Sequence, residues 1–90
     1  MEAWRWITAA QLITTRPCKL LGLVVTPSAT NAEVKVYDGD STTDPKILDV
    51  FLATKDSKEY NFPGGIKTDR GLYIGSFTTI TGVLVRWEVD

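Results

Sequence analysis

Apolar and polar residues alternate along most of this chain with a period of two. In residues 32–37, Val34 and Val36 share one side, and Glu33, Lys35 and Tyr37 share the other. That alternation predicts a half-buried strand. Residues 46–54 repeat it, with Leu48, Val50 and Leu52 opposed to Ile47, Asp49 and Phe51. Residues 71–77 set Leu72, Ile74 and Ser76 against Tyr73, Gly75 and Phe77. Residues 82–89 put Val83, Val85, Trp87 and Val89 inward, with Leu84, Arg86 and Glu88 outward. Residues 18–26 depart from the pattern. They are almost continuously apolar, so both faces of that strand are expected to be covered. Gly22 in the middle predicts a bulge or a close backbone approach.

Two weaker segments complete the series. Residues 4–15 carry the Ile, Thr and Trp content of a strand that Pro17 ends, although residues 9–12 have the composition of a helical turn. Residues 59–62 form a brief strand stopped by Pro63-Gly64-Gly65, and residues 66–68 an extended link. Turn residues separate these runs at about 8–12-residue spacing, as in sandwiches and barrels. Asp38-Gly39 is the sharpest, because Asp-Gly favours positive φ. The expected fold is all-β: one antiparallel β-sandwich over residues 1–90, jelly-roll-like, with about seven or eight strands. A closed barrel satisfies the same pattern.

Size sharpens this picture. A 90-residue chain buries only about 60–65% of its unfolded surface, so its core is thin. Cys18 is the sole cysteine and histidine is absent, which leaves no intrachain disulfide and no ordinary zinc site. Self-association is the remaining way to gain burial. The formal charge is -1, from 10 basic and 11 acidic residues scattered along the chain. No Lys/Arg cluster offers a nucleic-acid surface, and no apolar run approaches the ~20 residues of a membrane span. The opening residues lack the basic-then-apolar order of a signal peptide. The expectation is a protein made in a cytoplasm.

Candidate chemistry is sparse. Without histidine, a Ser, Thr or Cys nucleophile lacks its usual base. Cys18 beside Lys19 reads as a small core-edge residue. Asp38, Asp40 and Asp44 surround a Gly turn, but the calcium-loop spacing fails at its twelfth position and the flanking helices are missing. Asp56 and Glu59 fall in a charged loop rather than across a cleft. The chain is therefore expected to be no enzyme and to hold no cofactor or metal. The aromatics carry more information. Tyr60, Phe62 and Trp87 read as core. Trp4, Trp6, Tyr37 and Tyr73, with Leu84 on an outward position, are the candidate interface residues, suited to a protein partner or to stacking on a sugar.

Residues 18–88 resemble a class of small bacteriophage and prophage proteins. The resemblance rests on Leu21-Gly22, on Tyr37-Asp38-Gly39 closing a strand, on Gly71-Leu72-Tyr73, and on the Val-rich strand over residues 83–87. It implies a non-enzymatic β-sandwich protein of the virion, either structural or accessory, such as a capsid decoration or tail-associated protein. The implied partners are copies of itself, with a trimer as the analogous unit, and other virion proteins. The implied location is the virion after synthesis in the host cytoplasm. The rival expectation is a carbohydrate-binding module or adhesin using Trp and Tyr rings.

Overall fold

The computed structural model of the chain describes residues 2–89. It contains eight strands and no helix: β1 (Glu2–Ile7), β2 (Gln11–Thr14), β3 (Cys18–Pro27), β4 (Ala32–Tyr37), β5 (Lys46–Leu52), β6 (Lys58–Lys67), β7 (Leu72–Thr78) and β8 (Ile80–Val89). They form two four-stranded sheets, ordered β1-β8-β3-β6 and β2-β7-β4-β5. Every pairing is antiparallel. The pairs β1·β8, β2·β7, β3·β6 and β4·β5 nest inside one another like a long hairpin. Rolling that hairpin up adds β3·β8 and β4·β7. This is jelly-roll connectivity, and the two sheets stay separate rather than closing into a barrel.

The core lies between the sheets, where the period-two pattern places it. Leu20, Leu23, Val25, Val83, Val85 and Trp87 enter from one sheet; Val34, Val36, Leu72 and Ile74 enter from the other. Tyr60 and Phe62 pack against this cluster half-buried. The bulge expected at Gly22 is present as a register shift between Leu20 and Gly22.

Three expectations need correction. Residues 4–15 form two strands rather than one. The chain leaves β1 after Ile7, crosses to the other sheet through exposed residues 8–10, and resumes as β2. Ala9 and Ala10 have little apolar surface to hold the segment in either sheet. Likewise, Pro63-Gly64-Gly65 does not stop a strand. β6 runs through it as a wide bulge, with φ of 80° at Gly64 and 79° at Gly65, values open to glycine at little cost. The chain then rejoins β3 through Ile66 and Lys67. In β7 the alternation breaks at Ser76, whose φ is 56°. That rotation turns Phe77 toward the core.

Candidate functional site

The register of the β1-β8-β3-β6 sheet assembles three rows of side chains on its outward face. One row runs Trp6, Leu84, Val24, Glu59; the next runs Trp4, Arg86, Gly22, Asn61; the third runs Glu2, Glu88, Lys19, Lys67. These residues come from four strands spread over the whole sequence. Three of the five candidate interface residues, Trp4, Trp6 and Leu84, lie here together. Trp4 is 70% exposed and Trp6 46%, on a strand at the edge of its sheet. Leu84 is half-buried between Trp6 and Val24.

Two glycines shape this face. The Trp6 indole lies directly on Gly82, where any Cβ would collide with the ring. Arg86 lies flat across Gly22, with Nη2 only 2.5 Å from the position a Cβ would take. From there Nη2 donates to Asn61 Oδ1 at 2.6 Å, and Nη1 donates to Glu2 Oε2 at 3.5 Å. Arg86 thus spans the sheet from β1 to β6 as a fixed cation beside Trp4. On the opposite side of β1, Arg5 sits 5.7 Å from the Trp87 ring centroid, a cation–π contact at the sandwich margin.

Tyr37 and Tyr73 belong elsewhere, which corrects their grouping with the tryptophans. They are cross-strand neighbours on the outward face of the β2-β7-β4-β5 sheet, with ring centroids 6.2 Å apart. Both rings close over Gly75, together with the Thr42 methyl from the β4–β5 loop. Tyr37 is only 7% exposed. Its outward strand position was legible; its cover is supplied by a loop.

The acidic loop is occupied with its own backbone. Asp44 Oδ2 accepts from the N–H of Asp40 at 2.9 Å and of Ser41 at 3.2 Å, and Arg70 Nη1 donates to Asp44 Oδ1 at 3.3 Å. The Asp40 N–H foremost holds the Asp44 carboxyl below the usual aspartate range. Asp38 accepts from the N–H groups of Asp69 and Arg70, the latter at 2.9 Å, tying the β4–β5 loop to the β6–β7 turn. Among the described residues, no three His, Cys, Asp or Glu side chains converge as a metal-ligand set.

Cys18 is buried at the start of β3, as its core-edge reading expects. Its N–H donates to Thr68 Oγ1 at 3.2 Å, and the Thr68 N–H donates to the Cys18 carbonyl at 2.8 Å. The described residues form no pocket. What the structure offers is a surface, and sequence reasoning missed its polar half. Asn61 and Glu2 become partners of Arg86 only through pairing between distant strands. Comparison with known proteins gives no match to a protein family, a curated relative or a solved structure.

Proposed function

We propose that this chain is a non-enzymatic assembly module, a structural or accessory component of a phage-like particle such as a capsid decoration or tail-associated protein. The observation that carries the reading is the outward cluster of Trp4, Trp6 and Leu84 on one sheet face. Large exposed aromatics gathered on a flat face are typical of interfaces, where Trp dominates binding energy. The phage-protein resemblance of residues 18–88 supplies the particle context, and jelly-roll sandwiches suit surface packing. Sedimentation across a concentration series tests the reading. The wild type is expected to self-associate. Trp4→Ala or Trp6→Ala should weaken association by roughly 1–3 kcal/mol. Leu84→Asp should act more strongly, because assembly would bury its unpaired carboxylate. A clean monomer at high micromolar concentration would leave docking on a pre-existing particle as the only form of this reading.

One arrangement favours a second reading. Trp4 and Trp6 stand two apart on one strand, and Trp4 is directly opposite Arg86, whose guanidinium donates to Glu2 and Asn61, an aromatic platform next to a hydrogen-bonding group, as sugar recognition requires. A glycan array with wild type and Trp4→Ala separates the two. Binding that is lost in the variant, from a protein that stays monomeric, replaces the assembly reading with the carbohydrate one.

A further inference from the structure

We infer that the outward face of the β1-β8-β3-β6 sheet packs against the same face of a second copy, across a two-fold axis that runs along the strands between β8 and β3. The inference rests on the assembly reading above and names the partner of that surface.

The charged row carries the argument. Glu2, Glu88, Lys19 and Lys67 stand side by side on four adjacent strands. Glu2 is directly opposite Glu88, and Lys19 directly opposite Lys67. Like charges in cross-strand pairs oppose each other, so within one chain the row is acidic on one half and basic on the other. A two-fold along the strands reverses the row of the second copy. Glu2 then faces the partner's Lys67, and Glu88 faces the partner's Lys19. Four attractive pairs form across the interface, while Glu2 keeps its bond to Arg86 within each copy.

The Trp6 row fits the same axis at its centre. Leu84 and Val24 flank the axis, so each meets the other's copy where desolvation is greatest, and Trp6 faces the partner's Glu59 at each end. In the middle row, Trp4 faces the partner's Asn61, to which Arg86 of that copy is bonded. The planar guanidinium, already held at 2.6 Å, is the cation an exposed indole covers well. Four strands about 4.8 Å apart and up to ten residues long present roughly 600 Å² to the partner, or about 1,200 Å² in total, at the lower bound of stable interfaces. Pairing through the free edge of β1 is the weaker choice, because Arg5 points inward on that edge, and inward charges discourage strand addition.

The test is a charge swap read by sedimentation equilibrium near 0.1 M salt. Glu2 and Lys67 lie on opposite edges of the sheet, about 14 Å apart in strand spacings, beyond the ~10 Å screening length. A coupling between them is therefore intermolecular. Glu2→Lys alone and Lys67→Glu alone are each expected to lower dimer affinity tenfold or more, since each homodimer then holds two repulsive contacts. An equimolar mixture of the two variants is expected to restore dimers, because each heterodimer recovers both attractive pairs. That rescue also shows that both variants fold, which circular dichroism checks independently. If the wild type associates but neither variant weakens it, or the mixture is no better than its components, the two-fold face is wrong and assembly uses another surface. A three-fold particle insensitive to the swap has the same meaning. If the wild type is monomeric at high micromolar concentration, the two-fold inference fails together with self-assembly itself.

Discussion

The two outward faces of this sandwich solve the same local problem differently. Each has a glycine in a strand and aromatic rings laid over it. On the β2-β7-β4-β5 sheet, Tyr37 and Tyr73 cover Gly75, and the β4–β5 loop folds Thr42 onto the cluster. On the β1-β8-β3-β6 sheet, Trp6 covers Gly82 and Arg86 covers Gly22. The atoms nearest both glycines belong to strands of the same sheet, and Trp4 beside them stays 70% exposed. The difference lies in the connections. The β4–β5 loop is long, and Asp38 and Asp44 hold it in place by accepting backbone N–H bonds. One face covers its strand glycine with two tyrosines and a loop, leaving Phe51 on the edge strand β5 58% exposed. The other leaves two tryptophans at the surface, clustered with Leu84, and the proposed assembly uses that cluster.

Four measurements would break or sharpen that contrast. The largest effect is expected from aromatic truncation. Tyr37→Ala should cost about 2–4 kcal/mol in denaturant unfolding, the scale for a buried aromatic. Trp4→Ala should stay within about 0.5 kcal/mol, as exposed substitutions do. Similar losses at the two positions would erase the distinction.

Next comes filling the glycines. Gly75→Val brings its Cβ to 2.9 Å from the Tyr73 ring and 3.3 Å from Thr42. In that enclosed site it should destabilise by roughly 1–3 kcal/mol. Gly82→Val also collides with a ring, that of Trp6, but this indole can swing into solvent. Its stability cost should be the smaller, with a red shift of tryptophan emission as the signature. An unfolding cost at Gly82 equal to that at Gly75 would mean that the tryptophan face is as closed as the tyrosine one.

Asp38→Ala should cost about 1 kcal/mol, since it leaves the Asp69 and Arg70 N–H groups without their acceptor in a half-exposed site. Hydrogen exchange should quicken at those two amides and leave the β1·β8 ladder unchanged. Spread of the effect into β1 would show that the two faces are coupled through the core.

The smallest effect concerns acid. The folded Asp44 carboxyl titrates below its unfolded range, held there first by the Asp40 N–H. A depressed carboxylate contributes stability that is fully present above its unfolded value, near pH 4, and that fades as pH falls through the lower folded value. Thermal unfolding between about pH 5 and 2 should therefore show a decline that is shallower in Asp44→Asn. An unchanged decline would remove Asp44 from the loop's support.

How far each element was legible follows from where its information lies. β4, β5 and β8 could be read from alternation alone, because one face of each meets a single continuous core. Asp38-Gly39 marked a turn through local chemistry. The break between β1 and β2 was hidden, because Ile, Thr and Trp suit a strand on either side of residues 8–10, and the signal for leaving the sheet is only a pair of alanines. β6 was cut short because Gly and Pro mark bulges as readily as ends. Among the candidate interface residues, Trp4, Trp6 and Leu84 were found without knowledge that they are neighbours. Tyr37 was placed on the outward side, yet its burial depends on a loop several residues away.

By itself, then, the sequence determined the all-β class, the inward and outward sides of β4, β5 and β8, and the absence of histidine chemistry. These follow from nearest-neighbour alternation and from composition, which need no partner strand. Only the tertiary structure decided that β1 lies beside β8, that β3 lies between β8 and β6, and that Glu2, Glu88, Lys19 and Lys67 therefore make one row. Rows across a sheet are set by the register between strands far apart in the chain. A shift of one residue would turn the same side chains to the opposite face. The outward surface is thus a product of long-range pairing that the burial of the core enforces.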